Sequence, residues 1–175
     1  MEHASADDLM AGLDGILRSP ATGGTLELIV RRPAVDEREV LDEGTLDLDE
    51  GLVGDRWNQR ETPNPDTQLT LMNARTIDLI AGSRERWPLA GDQLYVDLDL
   101  SLENLPAGTR LAVGEAVVEV TAEPHTGCAK FSARFGTPAI AFVNKPPGRE
   151  LRLRGINTRI VTPGTVRVGD AITKL

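Results

Sequence analysis

The alternation of apolar and polar positions along the chain predicts a β-rich fold. From Thr25 onward, apolar residues recur at about every second position, which is the period of a half-buried strand. Strands are predicted, in chain order, at residues 25–30, 39–41, 45–48, 68–72, 93–100, 110–113, 116–121, 150–154, 158–161 and 165–168. Turns that contain glycine separate the later segments. Many short strands with closely spaced turns are typical of an antiparallel barrel or sandwich, not of a parallel sheet with crossover helices.

Helical spacing appears in a few short segments. Near the N-terminus it covers Leu9 to Leu17, with Ser5 as a cap and Ser19-Pro20 as the end. A second helix is predicted from Asn73 as N-cap to Gly82. Two more are predicted at residues 129–134 and 138–144, the latter with Thr137 as N-cap. We divide the chain into an N-terminal helical extension, residues 1–22, and a β-barrel or sandwich domain, residues 23–175.

Composition narrows the classes of function. The 175 residues are 40% hydrophobic and 26% charged, as expected for one globular domain, and the net charge is −8. An acidic chain is a poor candidate for binding nucleic acid or an anionic membrane. The N-terminus lacks a secretory signal, no apolar run approaches the roughly eighteen residues of a membrane span, and one cysteine forms no internal disulfide. We therefore expect a cytoplasmic protein.

Cys128 is the first candidate for a functional residue. It follows a predicted strand and a loop rich in Pro and Gly, and it falls in the first turn of a predicted helix. Free amides and the helix dipole at that place favour a thiolate, and the nearby His125 and Lys130 would add to this effect. The alternative is that Cys128 is a small buried residue packed beside Phe131 and Phe135.

Two further sets of residues are candidates for binding anions. Gly54 would free a backbone amide, and Asp55-Arg56 follows it with a planar guanidinium suited to phosphate or carboxylate. The alternative for this segment is a hairpin turn with a surface ion pair. In the predicted strand 150–154, Arg152 and Arg154 alternate with leucines and would share one face, with Arg159 further on. The alternative for these arginines is a solvated face paired with carboxylates. Two histidines are too few for a histidine-built metal site.

The ordered set of these segments resembles the MOSC domain family, named for the C-terminal domain of molybdenum cofactor sulfurase. The matching pieces are GLVGDRW (51–57), QLTLMNA (68–74), GDQL (91–94), LPAGTRLAVGEAVVEVT (105–121), GCAKF (127–131) and GINTRIVTPGTVRVGDAI (155–172). Together they span about residues 25 to 175. The chain departs from the family pattern at Asp92-Gln93, where the family usually has Glu-Asn, and at Trp57, where histidine is common.

The resemblance implies a mainly β fold, a compact antiparallel β-barrel with a few short helices. It implies that the chain binds molybdenum cofactor, with Cys128 as the metal ligand, since a thiolate suits a metal already held by sulfur. Residues expected to contact the cofactor are Gly54, Asp55, Arg56, Lys130, Arg152 and Arg154. The expected activity is reduction of N-hydroxylated or N-oxide small molecules, with electrons from a separate redox partner protein.

Two alternatives to that activity stay open. One is a non-catalytic carrier or binding module for the cofactor or for sulfur, in which Cys128 presents the group. The other is a metal-free enzyme in which Cys128 is the nucleophile and His125 is the base, which needs the two side chains within hydrogen-bond reach.

Overall fold

Eleven strands are the main regular elements of the structure, a computed structural model that describes residues 2–175. They are β1 (Gly24–Arg31), β2 (Glu39–Leu41), β3 (Glu43–Asp47), β4 (Gly51–Leu52), β5 (Leu69–Asn73), β6 (Leu94–Asp97), β7 (Arg110–Val113), β8 (Ala116–Val120), β9 (Ile156–Thr162), β10 (Gly164–Arg167) and β11 (Ala171–Lys174). The main sheet has the order β11-β7-β8-β9-β5-β6-β1-β2, and β1 also pairs with β11. That pairing closes a seven-stranded barrel, with β2 outside the ring. The predicted barrel is therefore confirmed.

Nearly all neighbouring strands run antiparallel. The exception is β5 with β6, which pair in parallel through Leu71 with Leu94 and Met72 with Tyr95. Parallel neighbours need a crossover connection, and here the crossover contains a helix. Strands β10, β3 and β4 form a separate small antiparallel sheet.

Five short helices lie outside the barrel: α1 (Ala6–Ala11), α2 (Leu13–Leu17), α3 (Ala74–Ala81), α4 (Ala129–Phe135) and α5 (Thr137–Asn144). Single 3₁₀ segments occupy Arg56–Gln59, Pro65–Thr67 and Arg84–Ala90. Helix α3 begins and ends as predicted, because the Asn73 side chain accepts from the Thr76 amide and Gly82 takes a left-handed conformation. Among residues 2–175, no helix combines the length and the apolar character needed to cross a membrane.

The alternating pattern of the strands fills two apolar layers. In β1, Ile29 points into the barrel interior, while Leu28 and Val30 point outward to a second layer beneath the helices. The outer layer also contains Tyr95 and the two phenylalanines of α4. Full burial of each large apolar side chain contributes about 1.5–3 kcal/mol, so the outer layer stabilises the packing of the helices on the barrel.

The N-terminal segment packs on this outer layer. The single predicted helix is broken into α1 and α2 at Gly12, where an added Cβ would lie 2.5 Å from the Leu79 side chain. Leu9 is fully buried, and Ile16 is buried as well. Residues 2–22 thus lie outside the barrel and contribute Leu9 and Ile16 to the outer apolar layer.

The predicted strand at residues 150–154 is wrong. This segment is a succession of turns, in which the Leu151 amide donates to the Pro147 carbonyl and the Gly155 amide donates to the Arg152 carbonyl. Arg152 has a φ of +51°, which a strand does not allow. Alternation of Leu and Arg imitated a strand, but Arg152 and Arg154 do not share a strand face.

Smaller errors lie at element ends. Gly136, not Thr137, occupies the N-cap position of α5. Strands β4 and β11 were not predicted, and the long strand expected at 93–100 is limited to β6. Strand β11 is the strand that closes the barrel against β1, so closure itself was not readable from the pattern.

Candidate functional site

Cys128 lies where the loop after β8 enters α4. It holds the N-cap position with an extended backbone, and its side chain is exposed. The Phe131 amide, followed by the Lys130 amide, lowers the pKa of the Cys128 thiol, and partial burial opposes this shift. Charges on Arg154 and Arg134 add to the lowering. Phe131 and Phe135 are buried without it, so the interpretation of Cys128 as core filler is wrong.

The residue before the cysteine is fixed in place by a side-chain amide. The Gly127 amide donates to Asn144 Oδ1 at 2.8 Å, and Asn144 Nδ2 donates back to the Gly127 carbonyl at 3.1 Å. A Cβ on Gly127 would come within 3.1 Å of Ile140 and 3.2 Å of Val143. Glycine therefore allows the loop to lie against α5, and Asn144 holds it there.

Beneath this loop is a buried network centred on Asp92. Asp92 Oδ1 lies 2.7 Å from His125 Nε2, and Asp92 Oδ2 accepts from Arg154 Nη1 at 2.6 Å. Asp92 is fully buried. Its burial would raise the pKa of the carboxyl, but the Arg154 guanidinium and then His125 outweigh it and bring that pKa to about 2. Asp92 is therefore a carboxylate at neutral pH.

The tautomer of His125 follows from that charge. Burial, and then the Arg154 charge, lower the pKa of His125, while Asp92 raises it in part. A neutral imidazole next to a carboxylate donates from Nε2, which leaves Nδ1 as an acceptor. Close packing of this ring depends on Gly155 (φ +120°), where a Cβ would stand 3.1 Å from the imidazole and 2.4 Å from the Leu71 carbonyl.

No hydrogen bond joins Cys128 to His125 among the described residues. The metal-free mechanism with His125 as base therefore lacks the contact it needs. The hydrogen bond that His125 does make connects the loop to the buried Asp92.

Arg154 connects the network to the helix that begins after Cys128. Its Nη2 donates to the Ala90 carbonyl at 2.9 Å, and its guanidinium carbon lies 4.9 Å from the ring centroid of Phe131. Its side chain is only 8% exposed. The guanidinium therefore holds α4 against the Asp92 segment, and its positive charge reaches the thiol.

Residues 54–56, predicted to bind an anion, make no hydrogen bond or ion pair with the Cys128 loop in the described structure and instead support the segment next to Asp92. The Asp55 carboxylate is buried and saturated: it accepts from the Arg32 side chain at 2.8 and 2.9 Å, from the Trp57 amide at 3.1 Å and from Gln93 Nε2 at 3.2 Å. It also caps the 3₁₀ turn that begins at Arg56. Asp55 thus braces Gln93, the neighbour of Asp92, and has little capacity left for a ligand. Gly54 is exposed, and Arg56 makes no side-chain hydrogen bond or ion pair within residues 2–175.

Lys130 and Arg134 give the rim next to Cys128 a positive charge. Their shared carboxylate is Asp36, at 4.0 Å from Lys130 Nζ and 3.3 Å from Arg134 Nη2. Across the described chain, no group of three or more His, Cys, Asp or Glu side chains could hold a metal ion. A metal at Cys128 would therefore have to bring its other ligands with it.

Sequence reasoning missed three features of the site: Arg32 as the partner of Asp55, Asn144 as the side chain that holds the Cys128 loop, and the central role of Asp92. Asp92 was noted only as a departure from a family motif, inside a Gly-Asp-Gln segment that looks like a turn. The flanking apolar residues could have indicated that Asp92 is buried, and a buried carboxylate requires cationic partners. Its partners, however, are 33 and 62 residues away in sequence.

The structure is a closed, mostly antiparallel β-barrel, with an exposed, thiolate-prone cysteine above a buried Asp–His–Arg network. It therefore belongs to the class of small β-barrel proteins that carry a surface thiol site. The particular family follows from direct comparison: a model of the MOSC domain matches residues 58–173. The chain belongs to the MOSC domain family. No curated protein matches the sequence significantly.

Solved structures share the fold. The YUAD protein from Bacillus subtilis is 18% identical, with a TM-score of 0.59 over 85% of this chain and 93% of that one. YiiM from Escherichia coli is 21% identical, with a TM-score of 0.56 over 86% and 69% of the two chains. A crystal structure of a hypothetical protein is 20% identical, with a TM-score of 0.61 over 90% and 70%.

Proposed function

We propose that this chain binds molybdenum cofactor and that Cys128 is the protein ligand of the molybdenum. The observation that carries the proposal is the setting of the thiol. Cys128 is exposed, the first amides of α4 lower its pKa and so favour the thiolate, and within residues 2–175 it belongs to no group of three or more metal-ligating side chains. A single soft thiolate fits a metal that arrives with its own sulfur ligands.

The charges around the thiol support the same assignment. Lys130 and Arg134 lie on α4, share one carboxylate, Asp36, and would help to balance the negative charge of a pterin phosphate and its sulfur ligands. Bound there, the cofactor would supply two-electron transfer to a small N-hydroxylated or N-oxide substrate, with electrons from a separate redox protein. Cys128 would hold the metal, and Asn144 would fix the loop that presents Cys128.

The first experiment measures cofactor content. Wild-type protein, Cys128→Ala and Cys128→Ser are purified from a host that makes molybdenum cofactor, and molybdenum and pterin are quantified per chain. Ser132→Ala, on the same helix, is the matched control. We expect molybdenum in the wild type and the control, and its loss from both Cys128 variants.

Wild-type protein that carries neither molybdenum nor pterin would contradict the proposal. Cofactor that is bound and yet supports no reduction of an N-hydroxylated probe by a chemical electron donor would support the carrier alternative instead. Equal metal content in wild type and Cys128→Ala would remove Cys128 from the coordination sphere.

A further inference from the structure

A polar cavity borders the loop that leads to Cys128. It has a volume of about 240 Å³ and is enclosed by the loop after β8, the end of α5, the turns at 149–155 and the start of β9. Its polar lining includes His125, Arg149, Arg152, Arg154 and Asn157. Cys128 does not line it.

Arg152 is held in this wall without a counter-charge. Its backbone has a φ of +51°, a conformation that arginine rarely adopts. The guanidinium donates through Nη1 to the Leu105 carbonyl and forms no ion pair with any described carboxylate. Burial lowers the pKa of Arg152. A strained, half-buried guanidinium with free donors is what an anion site requires and what packing alone would avoid.

Arg154 also lines the cavity. Its side chain is more than nine-tenths buried, and both terminal nitrogens are engaged by Asp92 and the Ala90 carbonyl. Its Nε has no hydrogen-bond partner in the described structure and is closed to solvent. Arg154 therefore forms the floor of the cavity, and the donors that can reach a ligand directly are those of Arg152 and Arg149.

The charges of the residues that line the cavity also favour an anion. Asp92 cancels the charge of Arg154, which leaves Arg149 and Arg152 against Glu123 on the wall. Arg149 is exposed and forms no ion pair among residues 2–175. The cavity is thus net positive in a chain whose net charge is −8.

We propose that this cavity binds a small oxoanion of the phosphate class, held mainly by Arg152 and Arg149 with Arg154 beneath. The site does not depend on the metal role of Cys128. The phosphate group could belong to a free small molecule or to a larger ligand that also reaches Cys128, and the two sources share the chemistry that the arginines recognise.

The test titrates inorganic phosphate into protein from a host that cannot make molybdenum cofactor, with binding followed by calorimetry and by amide NMR shifts. The variants are Arg152→Asn, chosen because Asn tolerates the left-handed backbone, and Arg149→Gln. Arg159→Gln is the matched control, since Arg159 is exposed, paired with Glu119 and outside the cavity.

We expect saturable binding to the wild type and to the control, and affinity about tenfold or more weaker for Arg152→Asn and Arg149→Gln. Amide shifts should cluster at residues 121–126 and 149–157. Phosphate binding that is absent, or equal in wild type and Arg152→Asn, overturns the proposal.

Repetition with cofactor-loaded protein identifies the source of the phosphate group. Loss of inorganic phosphate binding on loading means that the cofactor occupies the cavity, while unchanged binding means that a separate ligand does. Either result supports the oxoanion site. Failure of Cys128 to bind molybdenum would leave the titration of cofactor-free protein unaffected, so the two proposals fail separately.

Discussion

The Asp92 network makes a quantitative prediction through the substitution Asp92→Asn. The change removes one fully buried carboxylate and leaves the buried Arg154 guanidinium without its counter-charge. Removal of one partner of a buried ion pair costs about 3–5 kcal/mol, because the remaining charge stays desolvated. Against a typical domain stability of about 5–15 kcal/mol, that is a large fraction of the total.

The assay is urea unfolding at pH 7, followed by tryptophan fluorescence, with Asp97→Asn as the matched control. Asp97 is also paired with an arginine, Arg75, at 2.8 Å, but its side chain is 28% exposed. A partly exposed pair of this kind contributes about 0–1 kcal/mol. The free energy of unfolding should therefore fall several times further for Asp92→Asn than for Asp97→Asn. Equal losses would refute the central role given to Asp92.

The difference in stability between wild type and Asp92→Asn should also depend on pH, with a definite sign. The pKa of Asp92 is lowered from 3.8 to about 2 in the folded protein. A lowered carboxyl pKa stabilises the fold above the unfolded value and loses that contribution as pH falls through the folded one. The stability difference between wild type and Asp92→Asn should thus be constant above the ordinary histidine pKa of 6.5, where neither Asp92 nor His125 titrates, and should shrink as the pH approaches 2, where Asp92 becomes protonated. A difference that stays constant down to pH 2 would contradict the ionised state of Asp92.

Two further predictions concern the Cys128 thiol and Gly155, the glycine next to the His125 ring. The rate of Cys128 alkylation should rise with pH, with a midpoint below the ordinary thiol pKa of 9.0. Arg134→Gln should move that midpoint upward, because it removes a neighbouring positive charge. A wild-type midpoint at 9.0 would contradict the lowering of the thiol pKa by the first amides of α4. Gly155→Ala should destabilise the protein by more than about 2 kcal/mol in urea unfolding, since a Cβ would meet a carbonyl oxygen as well as a positive φ. Gly169→Ala, with a positive φ but open space around it, should cost only about 1 kcal/mol.

Local patterns determined much of the fold. The alternation of residues gave most of the barrel strands, and Asn73 with Gly82 gave both ends of α3, because these features depend on neighbours in sequence. The segment 150–154 failed because alternation is also compatible with successive turns when a left-handed residue intervenes. The barrel was predicted, but the strand pair that closes it was not: β1 and β11 are about 147 residues apart, and no local period reports their pairing.

The candidate site divides in the same way. Cys128 was found from its own segment, since a loop, a glycine and a helix start are local properties. The partners of Asp92 lie 33 and 62 residues along the chain, so their meeting depends on the closed barrel. Arg154 was named for the wrong reason, as one of two arginines on a strand face, although it is the residue on which the buried charges converge.

The position of Arg154 between the two proposed sites determines which variants can tell those sites apart. Its terminal nitrogens hold Asp92 and the Ala90 carbonyl, its plane lies against Phe131 of α4, and its side chain lines the cavity. Because the guanidinium serves the thiol on one side and the cavity on the other, a change at Arg154 would disturb both. Arg152 and Cys128 each belong to one side only. Variants at those two positions, and not at Arg154, can therefore distinguish an oxoanion site from a metal site.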